Sequence, residues 1–464
     1  MLSINGQTRT SSIIYILTLV LAFIVILSVY FYKIPPYFPL LIVVSLSLFL
    51  VTLLKTDFAL VILILSMLLS PEFSVGGIPG RSVALRLDDV FIFIIFFGWL
   101  ARVAMNKGLG MLRTTSLNRP IILYIVVSVV ASLLGALEGN VKIQYSFFYL
   151  VKYIEYFLIY FMVVNQLKSL KQIKLFVAVL LLTCFVVCIY AWAHMGNMAR
   201  LSAPFEGESG EANTLAGYLL LMMSITLGLF LYSSSLRQQI VLIGLAAFII
   251  PPFLFTLSRG TWIAFFPMSI TMAVLTRKKR GVLLLALLSL FLLMPVLFPQ
   301  QVRERVAQTF MTDVPGSRQY SILGKKFTLD QSAVSRVESW DYAFKKWLKR
   351  PILGYGVPAG IVTDNQYARV LREVGLVGFA IYIWLMVRIF KAGKESYSLA
   401  KGHNLAQGLC LGFLAGFIGL LFQAFSVETF IVIRIMEPFW FLAAIVVMLP
   451  EIISSSPQQN PVMS

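Results

Sequence analysis

The chain has 464 residues, of which 59% are hydrophobic and only 12% charged, with a mean hydropathy of +0.88. About a quarter of a soluble domain is charged, so a water-soluble globular protein is excluded, and with it the division of such a length into several soluble domains. The net charge is +18, from 38 basic and 20 acidic residues, yet no basic domain with interleaved aromatics stands apart from the apolar runs, so nucleic acid is not the expected partner.

Apolar runs of about 17–25 residues recur along the chain, the pattern of a polytopic helical membrane protein. They fall at about 12–32, 38–54, 57–70, 89–104, 119–136, 148–165, 173–194, 213–232, 239–257, 261–276, 281–298, 374–391, 405–424 and 432–450. The expected fold is all-α, with about 12–14 transmembrane helices in one membrane domain over 1–464. The first run lacks a small-residue cleavage site and reads as a retained helix rather than a signal peptide. Cys184, Cys188 and Cys410 all lie inside apolar runs, which predicts core packing and no disulfide framework.

Lysine and arginine orient the spans. One loop holds Arg102, Lys107, Arg113 and Arg119, and another holds Lys168, Lys171 and Lys174. A third is Arg277-Lys278-Lys279-Arg280, and a fourth carries Arg388, Lys391, Lys394 and Lys401. All fall on one side of the predicted spans, which the positive-inside bias makes cytoplasmic. The expectation is a multi-pass protein of the cytoplasmic (inner) membrane with both termini inside. Part of the positive excess then meets anionic lipid.

The loops on the other side lie at about 71–88, 137–147, 195–212, 257–261, 299–373 and 425–431. Arginines there run against the bias: Arg81, Arg86, Arg200, Arg259, Arg336, Arg369, Arg372 and Arg434. Any one of them can be a snorkelling side chain. As a set they point to a shared anionic ligand at the outer surface, because guanidinium is always charged and its planar fork suits phosphate.

Four stretches on this side carry the candidate chemistry. Arg200 begins a loop that runs through Glu206, Glu208 and Glu211 into Asn213-Thr214-Leu215-Ala216-Gly217-Tyr218. Arg200 can pair locally with those carboxylates, and Asn213 can cap its helix. Next, Ser258-Arg259-Gly260 sits between two spans with no room for a real loop, where glycine permits a turn and close approach to a ligand. The insertion at about 299–373 places Val337, Trp340 and Phe344 on one face of an amphipathic helix able to lie on the membrane. Pro351 ends that run, and Gly354-Tyr355-Gly356 leads on to Asp364. Finally, Asn365, Arg369 and Arg372 share a helix face. Asp364, just before them, suits either a helix cap or a catalytic carboxylate. His194 reads as interfacial, and His403-Asn404 falls on the cytoplasmic side. No cluster has metal-ligand spacing, and no Walker or Rossmann loop is present.

With these motifs in this order, the chain resembles the superfamily of O-antigen ligases and Wzy-type polysaccharide polymerases, bacterial membrane glycosyltransferases. The resemblance rests on Arg200 with Asn213, Leu215, Ala216 and Tyr218, then on Ser258-Arg259-Gly260. It continues through Trp340 and Pro351-Ile352-Leu353-Gly354-Tyr355-Gly356 to Asp364-Asn365-x-Tyr367 and Glu373-x-Gly375-Leu376-x-Gly378. It implies a GT-C-like helical fold acting on glycan carried by undecaprenyl diphosphate at the outer face, with no metal and no nucleotide sugar.

Carried onto this chain, Arg200 and Arg259 hold the diphosphate and Asp364 acts as general base. Arg336, Arg369, Arg372, Asn213, Asn365 and Tyr367 are the further substrate contacts. The implied partners are a lipid-linked oligosaccharide donor, a glycan acceptor, membrane lipid and other polysaccharide-assembly proteins. Ligases of the superfamily carry His-Asn where this chain has Asp364-Asn365. That departure favours polymerisation of exopolysaccharide or O-antigen repeat units over ligation. A transporter of lipid-linked glycan is the reading from another class. It calls for internal repeats and polar residues along a two-sided path.

Overall fold

A computed structural model describes residues 37–78, 81–105, 112–206, 210–276, 278–281, 283–285, 299–307, 318–322, 325–329, 331–360 and 363–455. Helices α1 (Tyr37–Leu54) and α2 (Thr56–Leu69) come first, then a hairpin of β1 (Glu72–Ile78) and β2 (Arg81–Arg86). Next are α3 (Leu87–Met105), α4 (Asn118–Leu137), α5 (Ile143–Gln166), α6 (Leu170–His194), α7 (Ala212–Tyr232), α8 (Leu236–Phe255) and α9 (Arg259–Leu275). The long insertion holds α10 (Gln300–Ala307), a second hairpin of β3 (Arg318–Ile322) and β4 (Lys325–Leu329), and α11 (Gln331–Lys349). The chain closes with α12 (Gln366–Leu399), α13 (Asn404–Gln423) and α14 (Ile433–Ser455).

Among the described residues, 8 helices are long and apolar enough to cross a membrane, and three shorter apolar helices accompany them. The remaining expected span, α3, is helical as well, with Asp88 and Asp89 in its first turn. The runs at about 12–32 and 281–298 lie outside the described residues, apart from a few positions at the start of the second. The polytopic helical fold is thus as expected. The two short hairpins are additions to it, and both lie in segments read from the sequence as loops.

The tightest helix pair is α7 with α13. Gly408, Gly412 and Gly416 recur every fourth residue and turn one face of α13 onto Gly228 and Ser224 of α7. A Cβ at Gly228 would collide with the carbonyl of Gly408, and Ser224 Oγ donates to Gly412 O at 2.9 Å. Between helices in lipid, such small-residue stripes let backbones approach where apolar burial alone provides little drive. Beside this pair, Trp440 of α14 packs among Tyr156, Phe157 and Tyr160 of α5.

Polar contacts sort the loops into two ends. At one end Lys278 Nζ donates to Asn404 Oδ1, Tyr397 joins Tyr232 and Leu275, and Arg113 meets Asn165 and Leu167. The basic loops and His403-Asn404 belong to this end. At the other end the joints 70–86, 200–213, 255–261, 351–366 and 424–434 bond to one another.

Two arginines expected to serve a ligand there instead hold the fold. Arg434 is 2% exposed and donates to the carbonyls of Leu68 (3.0 Å) and Pro204 (2.7 Å), with Glu72 and Glu206 as ion partners at 3.1 and 3.4 Å. Arg86, also buried, pairs with Asp88 at 2.7 Å and Glu437 at 3.4 Å. Removing one member of a buried ion pair strands its partners and costs about 3–5 kcal/mol. Arg434→Ala is therefore expected to lower the melting temperature of the detergent-solubilised protein sharply. A melting curve matching wild type would show that this contact set is dispensable.

Candidate functional site

The site is built on the joint between α8 and α9. Pro251 and Pro252 lie in the last turns of α8, and Thr256 Oγ1 donates to Phe253 O as the helix stops. Leu257 then takes a positive φ of 51°, and α9 begins at Arg259. The reversal is thus carried by Leu257 rather than by Gly260. Gly260 is small for a different reason: a Cβ there would collide with Ser426 of the loop after α13.

Arg200 is stapled to this joint. Its Nε donates to Thr256 O at 3.1 Å and its Nη2 to Asn213 Oδ1 at 3.3 Å, while Leu201 N bonds Phe255 O. Asn213 is not the cap of α7; Glu211 occupies that position, without a capping hydrogen bond. Instead the Asn213 side chain also accepts from Ser258 Oγ at 2.8 Å. Gln423 Nε2 completes the frame, donating to Asn213 O at 3.1 Å and Thr261 Oγ1 at 2.9 Å. Gln423 and Thr261 were not among the residues expected from sequence.

Among the described residues, no local carboxylate hydrogen-bonds to Arg200. Glu206 turns away to Arg434, and Glu208 lies outside the described residues. Burial holds the Arg200 guanidinium below its usual range, and the charges of Arg305, Arg336 and Arg259 push the same way, with Glu211 opposing. The cations that act on Arg200 thus come from the start of α9, from α10 and from α11. Arg305 is the member the sequence did not single out. Beside them, a cleft of about 550 Å³ is lined by Met195, Gly196, Phe255 and Gln300, among others. Such a field is matched by a dianionic or trianionic oxyanion, and a forked donor meets it bidentately.

Asp364 is exposed and sits at a positive φ of 46°, a conformation in which aspartate is enriched. The helix cap is its neighbour: Asn365 Oδ1 accepts from Ala368 N at 2.9 Å, and Asn365 Nδ2 donates to Phe425 O. The two readings of Asp364 open at the sequence level are thereby narrowed, because another residue caps α12. The backbone on either side of it is clamped. Thr363 N donates to Glu428 Oε1 at 3.1 Å, and Thr363 O accepts from Ser339 Oγ of α11 at 2.7 Å. Gln366 N bonds Ala424 O, and its side chain accepts from Phe430 N.

The face expected to present Asn365, Arg369 and Arg372 together splits into different roles. Asn365 is the cap. Arg369 is buried between Glu373 (2.9 Å) and Glu428, so its charge is met inside the protein rather than in the open cluster. Tyr367 likewise commits its hydroxyl to Leu421 O at 2.7 Å and packs its ring on Phe425. Arg372 is buried too, but among the described residues its Nε and Nη1 have no hydrogen-bond partner.

This segment stands apart from the span that follows it because α12 is broken. Gly375 has φ 63° and ψ −165°, and the freed backbone groups are taken up by Pro351–Gly356. Tyr355 N bonds Arg372 O, Gly356 N bonds Glu373 O, Leu376 N bonds Pro351 O and Val377 N bonds Ile352 O. The glycine-rich approach thus repairs the broken helix.

Fold and site together define a multi-pass helical membrane protein with a clustered arginine site at one end. Residues 244–383 match the family model Wzy_C, described as O-antigen ligase, which supports a relation to the O-antigen ligase/Wzy-type superfamily. The match takes in Arg259, Arg305, Arg336, Asp364 and Arg372, and leaves Arg200, Gln423 and Glu428 outside it. Members of that family are membrane glycosyltransferase-like enzymes. No curated protein matches the chain.

Proposed function

We propose that the protein is a polymerase of polysaccharide repeat units, using glycan linked to a polyprenyl (undecaprenyl) diphosphate at the outer face of the cytoplasmic membrane. The observations that carry this reading are the charges of Arg259, Arg305 and Arg336 acting on Arg200, and an exposed carboxylate, Asp364, next to Thr363, whose carbonyl is bonded by Ser339 of the helix that bears Arg336. The arginine end faces outward because the basic loops gather at the opposite end.

In the reaction, Asp364 takes the proton of the acceptor hydroxyl as its oxygen attacks the anomeric carbon from the side opposite the diphosphate. The bond from that carbon to the diphosphate oxygen breaks, its electron pair leaves with the diphosphate, and the anomeric configuration inverts. The guanidiniums stabilise the charge that grows on the leaving group, and preorganised donors of this kind supply the largest single term in many enzymes. Ligation of the finished glycan to a different acceptor would use the same leaving-group site. The carboxylate at position 364 favours polymerisation, as the superfamily's ligases carry histidine there.

Turnover of lipid-diphosphate repeat units by purified protein tests this reading. Asp364→Asn is expected to lower it by about 10²–10⁴-fold, the usual contribution of a general base. Mass analysis of the wild-type products separates ladders of repeat units from transfer to a foreign acceptor. Unchanged turnover in the variant would remove Asp364 from the chemistry.

A further inference from the structure

Helix α11 spans two chemically different neighbourhoods. Its first turns bring Arg336 into the field acting on Arg200, and its middle turns bring Tyr342 to Arg372. Six residues of helix separate them, a rise of about 9 Å. Ser339, halfway between, bonds Thr363 beside Asp364. The clamped backbone beside Asp364 therefore meets α11 between Arg336 and Tyr342.

A second polar pocket is built around Arg372. Its side chain is 3% exposed, yet among the described residues Nε and Nη1 have no hydrogen-bond partner, a costly state for a buried guanidinium. The tip reaches toward Gly360, where an added Cβ would lie 3.8 Å from Arg372 Cζ and 3.4 Å from the Tyr342 hydroxyl. Lys346 lies over the rings of both Tyr342 and Tyr355, at 5.7 and 5.6 Å. Around it the charges nearly balance. Arg369, Arg372 and Lys346 face Glu373 and Glu428, which leaves one net positive charge, while Lys345 and Arg350 are paired with Asp341 and Glu138.

We infer that Arg372, Tyr342 and Lys346 form a subsite for a single carboxylate on the glycan, so that the protein takes a sugar chain containing a uronic or other acidic sugar. The inference rests on the glycan-handling reading above. One net positive charge fits a carboxylate, whereas four clustered guanidiniums fit a diphosphate. The Tyr342 hydroxyl adds a polar group beside Gly360, and the two guanidinium nitrogens without a hydrogen-bond partner among the described residues supply donors for the acid.

Saturation-transfer NMR on the full chain in phosphatidylcholine nanodiscs tests this, with tetragalacturonate and its carboxyl-reduced, neutral counterpart as probes. Wild type is expected to favour the acidic probe by about tenfold or more, the worth of a charge-assisted hydrogen bond. Arg372→Gln should erase that preference, while Arg259→Gln should keep it. Should Arg372→Gln fail to fold, Tyr342→Ala and Lys346→Gln, both at half-buried positions of α11, are expected to weaken the preference and take its place. Absence of a preference in wild type, or its equal loss in Arg259→Gln, would overturn the subsite. The assay needs no turnover, so an inactive protein that still selects the acidic probe would overturn the proposed reaction and leave the subsite standing.

Discussion

Arg259→Ala is expected to stop glycan chain extension in cells while the protein reaches the membrane at its normal level. Deleting one preorganised donor aimed at a leaving group typically costs about 10²–10³-fold in turnover. Arg259 is the first residue of α9, with its charge in the same field as Arg200, Arg305 and Arg336. The frame of the joint is held by Ser258, Thr261, Asn213 and Gln423, which bond to one another. A loss of activity at constant protein level therefore reads on chemistry rather than on folding. Arg259→Lys keeps the charge without the fork and is expected to fall between the two. Long-chain product at wild-type length from Arg259→Ala would sink the diphosphate assignment.

Gly375→Ala is expected to act on the fold instead. A non-glycine residue held outside its favoured backbone region costs about 1–3 kcal/mol. The new Cβ would also collide with the carbonyl of Ile352, and overpacking of this kind costs about 1–3 kcal/mol more. The break at Gly375 allows 351–356 to pair with 372–377, and the segment before it carries Asn365, Arg369 and Arg372. The substitution should lower the melting temperature in detergent and broaden the size-exclusion peak, with activity lost in parallel. A variant with a wild-type melting curve would mean that α12 can run unbroken through this point and that the 351–356 pairing is not needed.

These two positions also show how far the sequence could be read. Arg259 stood out because a cation at a span boundary on the side poor in positive charge is conspicuous in a chain so apolar. Gly375 lay within the stretch that carries the superfamily resemblance, yet nothing local announced a break, since glycine is common inside membrane helices. The stripe Gly408, Gly412, Gly416 was not singled out from the sequence, and the structure gives it a partner in α7. Arg305 carried no signal of its own, being one basic residue in a polar insertion.

Hydropathy and the placement of lysine and arginine were sufficient to establish a polytopic helical membrane protein, most of its span positions and the arginine-bearing loops. Such features depend on transfer of side chains between water and lipid, which each residue expresses locally. Which arginines remain for a ligand was decided only by tertiary packing. Arg434, Arg86 and Arg369 are met by carboxylates from distant segments, including Glu206, Glu437 and Glu428, whereas among the described residues Arg200 is hydrogen-bonded to neutral oxygens and Arg372 lacks partners at two of its nitrogens. The same holds at Asp364, where a neighbouring asparagine caps the helix and leaves the carboxylate exposed. A charge finds its counter-charge through space, and the distances that settle the pairing exist only once the chain has folded.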